Sequence, residues 1–237
     1  MSDSSRFLVV FDLDGTLVDS ARDLADAGNA LLASHGITPL PRAQIVRMVG
    51  DGARELVRRL LAASALDVPL DSALERFLEE YDRRLVATTR PYDGTVEMLD
   101  RVERIARLAV LTNKPAYATS RLLAALDLDR YFADVVGGDT AVARKPDPAG
   151  LLSLVERAGL PSTRALMVGD SVADVRTALA AAVPACLARY GFGFAQVSKD
   201  ERSAAAYEVD RPSEIVTIVE RLVRDSGAEP LDSRPKR

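Results

Sequence analysis

The 237-residue chain contains one cysteine, one histidine and no tryptophan. The single cysteine, Cys186, excludes an internal disulfide framework and a cysteine-based metal cluster, and its apolar surroundings are typical of a core residue. The single histidine, His35, stands at the predicted end of a helix, where we do not expect it to act as a base. Reactive chemistry in this chain must therefore come mainly from side chains other than thiols and imidazoles.

The chain also lacks long apolar runs and an excess of positive charge. No run approaches the roughly 18 apolar residues of a membrane span, and the amino terminus does not resemble a signal peptide. A net charge of -4 argues against nucleic acid or an anionic membrane as the main partner. We therefore expect a cytoplasmic globular protein with no membrane or nucleic-acid partner.

A short apolar run followed by two acids is the most informative stretch. Residues 7–11 have the composition of a strand covered on both faces. Asp12 and Asp14 follow it, so both carboxylates point to one side if strand geometry persists, and Gly15 then allows a sharp turn. At about 4 Å the two carboxylates would repel by roughly 4 kcal/mol at an effective dielectric of 20, which calls for a cation or a shared proton. An ordinary Asp-Gly turn is the alternative.

The rest of the chain divides into a helical part and an alternating part. Residues 18–86 show helical periodicity without a strand signal, and Ser20 is the expected N-cap of the first helix. From Pro91 onward, helices alternate with short apolar strands, which predicts a parallel, doubly wound sheet. We therefore expect an α/β fold with a sheet domain, a helical insertion after the first strand and a disordered tail. These parts are residues 1–17 with 87–225, residues 18–86, and residues 226–237.

Polar side chains also follow the later strands. Thr112 and Asn113 could donate hydrogen bonds to an anionic oxygen, although a capped turn would have the same sequence. Lys145 precedes a helix begun by proline and could supply a compact positive charge, unless it is merely solvated. Asp170 and Asp174 share one face of a helix start, where acids also serve as caps.

Capping alone does not explain why acids recur at two separate strand ends. The carboxyl ends of parallel strands meet at one edge, where open sheets bind their ligands. Several carboxylates in one crevice would destabilise each other without a bound cation. Oxygen ligands without histidine or cysteine select a hard ion, and Mg²⁺ is the usual partner of phosphate groups. The sequence therefore predicts a magnesium site beside a crevice that binds phosphate.

These motifs resemble, in order and spacing, those of the haloacid dehalogenase superfamily. The corresponding stretches are Asp12-Leu-Asp-Gly-Thr-Leu17, Thr112-Asn113, Lys145-Pro146 and Gly169-Asp-Ser-Val-Ala-Asp174. The resemblance implies a Rossmann-like sheet of strand order 5-4-1-2-3 and makes residues 18–86 an all-helical type 1 cap. Within the superfamily the chain is most similar to phosphoglycolate phosphatases.

The resemblance implies a role for each motif residue. Asp12 would attack phosphorus and form an aspartyl-phosphate, while Asp14 would protonate the leaving oxygen and then accept a proton from the hydrolytic water. Thr112 and Asn113 would hold phosphate oxygens, and Lys145 would neutralise charge on Asp12 and the phosphoryl group.

The resemblance also implies a set of metal ligands. The carboxylates of Asp12 and Asp170 and the backbone carbonyl of Asp14 would bind Mg²⁺. Asp174 would lie behind the metal and act through water or Lys145.

Substrate contacts are expected from the first loop and from the helical insertion. Gly50 and Gly52 precede a helix and leave backbone amides free, and a helix start favours an anion by about 0.3 to 1 kcal/mol. With Arg54 or Arg58 nearby as a second positive group, this segment is the expected seat of a substrate carboxylate, although a simple helix-initiating turn is the alternative. Gly15 and Thr16 are the other expected substrate contacts.

The residue types narrow the chemistry that the resemblance implies. Dehalogenases of the superfamily lack the second aspartate, whereas Asp14 is present, and residues 18–86 contain no lysine for the Schiff base of phosphonate-cleaving relatives. We expect a Mg²⁺-dependent phosphatase of small anionic phosphate monoesters, acting as a monomer or homodimer, with 2-phosphoglycolate as the best single substrate. The alternatives are a sugar-phosphate phosphatase, a pyrophosphatase, a phosphosugar mutase, or a non-catalytic regulator that binds phosphorylated ligands.

Overall fold

The structure is a computed structural model that describes residues 7–140 and 143–226. Short strands alternate with helices over most of this length. The strands are β1 (Leu8–Phe11), β2 (Val18–Asp19), β3 (Arg90–Pro91), β4 (Arg107–Leu111), β5 (Asp134–Val136), β6 (Ala165–Gly169), β7 (Ala185–Ala188) and β8 (Tyr207–Val209). The helices are α1 (Ala21–Ser34), α2 (Arg42–Val46), α3 (Ala53–Ser64), α4 (Leu70–Asp82), α5 (Thr95–Val102), α6 (Ala116–Ala125), α7 (Ala149–Ala158), α8 (Val172–Ala180), α9 (Lys199–Ala204) and α10 (Ser213–Asp225).

Six strands form one parallel sheet in the order β5-β4-β1-β6-β7-β8. If β1, β4, β5, β6 and β7 are renumbered 1 to 5 in chain order, the sheet read from β7 to β5 has the order 5-4-1-2-3. The predicted strand order is therefore confirmed. The sequence analysis missed β8, a three-residue edge strand whose first two side chains are not buried. Such a strand leaves too short an apolar pattern to be recognised.

Strand β1 lies in the middle of the sheet, and helices cover both of its faces. Val9 and Phe11 pack in a core that α5 and α10 share, whereas Leu8 and Val10 pack in a second core with α7 and α8. All four side chains are buried. Strands buried on both faces read as continuous apolar runs, which is why this one could be predicted.

Helices α1 to α4 form a helical insertion between β1 and the remainder of the sheet, and α1 packs against α2 and α4. The interpretation that residues 18–86 contain no strand was wrong at its first two positions. Val18–Asp19 pairs antiparallel with Arg90–Pro91, so the chain leaves and re-enters the sheet region through a two-stranded ribbon. A two-residue pairing has no periodicity from which it could be predicted.

A second connection holds the start of α1 to the returning chain. Asp23 is buried and accepts hydrogen bonds from the backbone amides and hydroxyls of Thr88 and Thr89. Ser20 precedes α1 as predicted, but its side chain makes no cap; its hydroxyl instead donates to Asp14 Oδ1 at 2.5 Å. Ser20 is therefore the N-cap residue of α1, as predicted, but its side chain makes no hydrogen bond to the first helix amides.

The last part of the chain contains a helix that the sequence analysis missed. Helix α9 begins at a reciprocal capping box formed by Ser198 and Glu201. Ser-x-x-Glu is a recognised sequence signal for a helix start, and it could have identified this helix. The predicted disordered tail lies outside the described residues except for Ser226, which follows α10. Among the residues that the structure describes, no helix has both the length and the apolar character needed to cross a membrane.

Candidate active site

The predicted site residues lie at the carboxyl ends of three neighbouring strands. Asp12 follows β1, Thr112 follows β4, and Asp170 follows β6. Since β1 lies between β4 and β6 in the sheet, these segments converge at one edge. The backbone amide of Asp12 donates to the carbonyl of Val168 at 2.9 Å, which extends the ladder to the site.

Three buried carboxylates form an acidic cluster at this edge. Asp12, Asp170 and Asp174 each offer an oxygen atom, and these atoms all lie within 4.8 Å of one another. Burial raises the pKa of Asp12 to about 6, with Lys145 opposing and Asp174 assisting the shift. Burial, followed by the charges of Asp174 and Asp12, raises the pKa of Asp170 well above its usual range. The cluster therefore favours either proton uptake or a bound cation.

Lys145 is the positive partner of this cluster. Its Nζ lies 2.8 Å from Asp12 Oδ1 and 2.6 Å from Asp174 Oδ1. Burial acts to lower the pKa of Lys145, but the charges of Asp12 and Asp174 outweigh it, so the pKa is raised. Lys145 therefore remains an ammonium at neutral pH. The alternative of a solvated lysine does not hold, because the side chain is buried.

The side chain of Asn113 holds the Lys145 loop in place. Its Nδ2 donates to the carbonyls of Lys145 at 3.0 Å and Gly50 at 2.9 Å, while its Oδ1 accepts from the Lys145 amide at 2.9 Å. Both side-chain polar atoms are thus engaged with backbone groups. In this conformation the Asn113 side chain positions Lys145 and does not point a donor at an anion.

The acidic cluster fits a divalent cation in both charge and shape. Three carboxylates and one ammonium leave a net charge of -2 when all are ionised. A Cβ atom at Gly15, Gly191 or Gly193 would overlap or crowd the Asp170 carboxylate, and the Gly193 amide donates to Asp170 Oδ2 at 2.7 Å. Asp170 is thus held in a close-fitting cradle. Oxygen-only donors around two uncompensated charges match Mg²⁺.

Asp174 is fixed from two directions. Its Oδ1 contacts Lys145, and its Oδ2 accepts from the amide and hydroxyl of Ser171 at 3.0 and 2.6 Å, in a capping box at the start of α8. Asp174 therefore caps the start of α8 and is also a member of the acidic cluster. The contact with Lys145 is one of the two routes by which the sequence analysis expected Asp174 to act.

Asp14 has partners that are separate from those of Asp12. Lys114 Nζ lies 3.1 Å and 3.0 Å from its two carboxylate oxygens, and Ser20 donates to one of them. Lys114 Nζ also contacts the hydroxyl of Tyr81 in α4 at 2.6 Å and lies 4.4 Å from the centre of its ring. Burial acts to lower the pKa of Lys114, but Asp14 and Tyr81 outweigh it and raise the pKa.

Lys114 and Tyr81 are functional candidates that the sequence analysis missed. Their partners lie far along the chain, since Lys114 is 100 residues from Asp14 and 33 residues from Tyr81. The only signal was composition: Lys114 is one of four lysines and directly follows Thr112-Asn113.

A small cavity of about 50 Å³ lies between the sheet edge and the helical insertion. Its lining is polar on the sheet side and mostly apolar on the insertion side. The sheet side includes Asp12, Asp14, Thr112, Asn113 and Lys114, and the insertion side includes Val49, Gly50, Gly52, Ala53, Leu56, Phe77 and Tyr81.

The cavity receives some of the expected substrate contacts and not others. Gly50 and Gly52 line it. Arg54 does not; it pairs with Asp71 at 2.5 Å, and about half of its side chain is exposed. Gly15 and Thr16 lie against Asp170, with the Thr16 hydroxyl 3.4 Å from its Oδ1. The structure thus brings Gly50 and Gly52 to the cavity but not Arg54.

Comparisons with known proteins identify the family. A family model described as haloacid dehalogenase-like hydrolase matches residues 9–188. The chain belongs to this family. A phosphoglycolate phosphatase of Mesorhizobium japonicum is 40% identical over 94% of this chain and 99% of its own length. A second one, of Rhodospirillum rubrum, is 45% identical over 78% of this chain and 80% of its own length.

A solved structure of the family has the same fold. It is described as a predicted phosphoglycolate phosphatase from Haemophilus somnus, with a TM-score of 0.83 and 26% identity, over 91% of this chain and 98% of that one. The protein is accordingly a haloacid dehalogenase-like phosphatase, similar to phosphoglycolate phosphatases, with a buried acidic cluster suited to a metal ion.

Proposed function

We propose that the protein hydrolyses 2-phosphoglycolate to glycolate and phosphate through an aspartyl-phosphate, with Mg²⁺ as cofactor. The observation that carries this proposal is the convergence of Asp12, Lys145 and two further carboxylates beside a small cavity. Relatives at about 40% identity that are named phosphoglycolate phosphatases support the substrate.

Asp12 is the proposed nucleophile. It lies at the cavity wall, and its contact with Lys145 orients one oxygen while leaving the other for attack on phosphorus. The attack forms the aspartyl-phosphate and breaks the bond to the glycolate oxygen. Thr112 lies on the same wall, where its hydroxyl can hold a phosphoryl oxygen, together with the backbone amide of Asn113.

Asp14 is the proposed acid and base. It would give a proton to the leaving glycolate oxygen and then accept one from the water that hydrolyses the aspartyl-phosphate, so it regains its starting state. Asp14 follows Asp12 by two residues and also lines the cavity, but it is not part of the acidic cluster. This separation allows one aspartate to attack while the other transfers protons.

The proposed metal site uses the residues of the acidic cluster. Asp12, Asp170 and the Asp14 carbonyl would hold Mg²⁺, which when bound would offset negative charge on the phosphoryl group. Asp174 would act through Lys145, since both of its oxygens already have partners. Gly15 and Thr16 would support Asp170 and not the substrate.

The helical insertion is the proposed cap. Residues 18–86 would cover a catalytic core formed by residues 1–17 and 87–225, with the cavity between them. Gly50 and Gly52 would bring the cap backbone close to the substrate. The oligomeric state, monomer or homodimer, stays a prediction.

The test is a panel of phosphate esters assayed with and without Mg²⁺ in wild type and Asp12→Asn. We expect Asp12→Asn to lower turnover by at least about 1000-fold, because the amide cannot attack phosphorus, while Asp67→Asn, an exposed aspartate of the cap, leaves it unchanged. Surviving turnover in Asp12→Asn would refute the nucleophile. A better rate on hexose phosphates would refute the substrate, and transfer of the phosphoryl group back to product would indicate a mutase.

A further inference from the structure

Lys114 occupies a distinctive position in the cavity. Among the described residues that line the cavity, it is the one cationic side chain. The side chain is 4% exposed, and its three ammonium protons face two oxygens of Asp14 and the hydroxyl of Tyr81. Lys145 is not in the lining, because Asp12 and Asp174 hold it at the acidic cluster.

The surroundings of Lys114 fit one further anionic group. The neighbouring wall is apolar, with Leu56, Phe77 and Leu78, so a charged group placed there needs a direct partner. Lys114 and Tyr81 supply an ammonium and a hydroxyl side by side, which together suit the two oxygens of a carboxylate. Arg54, the expected partner of such a group, points instead to Asp71 at 2.5 Å.

We propose that Lys114 and Tyr81 form the seat of the substrate carboxylate, and that Lys114 exchanges Asp14 for this carboxylate when substrate enters. The proposal rests on the proposed function and deepens it. The exchange keeps the buried ammonium paired throughout, since one carboxylate replaces another. It also frees Asp14, whose two oxygens Lys114 engages before substrate binds, to face the leaving oxygen.

A consequence is selection by charge. An ester without a carboxylate would leave the pair of Lys114 and Asp14 intact, so Asp14 would remain turned to the lysine. An ester with a carboxylate would bind and free Asp14 in the same event. Asp14 would thus be free to act as the acid only when an ester with a carboxylate is bound. The protein would therefore discriminate between substrates in the catalytic step as well as in binding.

The test compares 2-phosphoglycolate with ethyl phosphate, which has the same two-carbon leaving group without the carboxylate. The measured quantity is the ratio of kcat/KM for the two esters in wild type, Lys114→Met and Tyr81→Phe. We expect Lys114→Met to reduce this ratio by about 10- to 100-fold, the loss expected for a hydrogen bond to a charged group, and Tyr81→Phe to reduce it several-fold. In Lys114→Met, turnover of ethyl phosphate should fall less than turnover of 2-phosphoglycolate.

Lys199→Met is the matched control, since this lysine is exposed on α9. Arg54→Met tests the rival seat at the start of α3. A change of ratio in Arg54→Met but not in Lys114→Met would overturn the proposal in favour of that seat. An equal loss on both esters in Lys114→Met would show a structural role and would also overturn it.

The outcomes separate this inference from the proposed function. If wild type hydrolyses neither ester, the proposed function fails. If wild type hydrolyses both equally well, only the carboxylate seat fails. Should Lys114→Met not fold, Tyr81→Phe decides alone, because it removes one hydroxyl and keeps the packing of the ring.

Discussion

Replacing Asp170 with asparagine should stabilise the metal-free protein. The three carboxylates of the acidic cluster lie within 4.8 Å of one another, and one ammonium offsets only part of their charge. At this separation and an effective dielectric of 20, each like-charged pair contributes about 3 kcal/mol of repulsion. With one attraction to Lys145 counted against two such pairs, Asp170→Asn removes a net repulsion of at most about 3 kcal/mol, and proton uptake by Asp170 in wild type reduces this gain.

The substitution keeps the shape of the site. An asparagine oxygen can still accept the hydrogen bond that the Gly193 amide donates at 2.7 Å. For a chain of this size, 1 kcal/mol moves the Tm by about 2 to 4 °C. In EDTA at pH 8 we therefore expect Asp170→Asn to melt above wild type, by at most about 6 to 12 °C.

The difference should depend on pH and on Mg²⁺. Because the folded-state pKa values of Asp12 and Asp170 are raised, the metal-free folded protein keeps protons that the unfolded chain loses, so wild-type stability falls as pH rises from about 4 through 6 and beyond. The gap between the two proteins should widen from pH 5 to pH 8. Mg²⁺ at about 100 times its Kd should stabilise wild type by about 2.7 kcal/mol and the variant much less.

Thermal unfolding followed by fluorescence, in EDTA and in Mg²⁺, measures each of these quantities. The reasoning would be refuted if Asp170→Asn melts below wild type by the same amount in both buffers. That result would mean that Asp170 stabilises the fold through its hydrogen bonds and that the acidic cluster holds no uncompensated charge.

Two further predictions concern the support of the site. Gly191→Ala should raise the Mg²⁺ concentration for half-maximal activity at least tenfold, because the added methyl group would overlap the Asp170 carboxylate. The control, Gly36→Ala, has open space around it and should leave this concentration unchanged. Equal half-saturation in the two variants would contradict the role of Gly191 in holding Asp170. Asp23→Asn should cost about 2 kcal/mol in denaturant unfolding at pH 7, because burial raises the pKa of Asp23 but hydrogen bonds from Thr88 and Thr89 outweigh it and lower the pKa. This stabilisation decreases as pH falls from about 4 through the lowered pKa of folded Asp23, so a cost that is the same at pH 7 and at pH 3 would argue against it.

The sheet and the acidic cluster could be predicted because both follow from local patterns and one topological rule. Asp12 and Asp170 each come directly after a buried strand, and parallel strands bring such positions to a single edge. Asp12 and Asp170, separated by most of the chain, could therefore be placed together without knowing any contact between them.

The contacts between sheet and insertion could not be predicted in the same way. They depend on how one packed unit sits on another, and no periodicity encodes that. Lys114 meets Tyr81 across this boundary, and Arg54 turns to Asp71 at the start of the next helix. The sequence analysis recognised Arg54 by charge and position, but it could not show that a carboxylate 17 residues later competes for it.

The ribbon of Val18–Asp19 with Arg90–Pro91 places the entry and the exit of the insertion side by side. Any helical segment whose ends meet at that spacing could be joined there without moving β1 or β4. The reactive acids would stay with the sheet, while most of the apolar lining would be exchanged with the segment. Under the proposed function, a chimera made at this ribbon would take its reactive acids from one parent and most of its apolar cavity lining from the other.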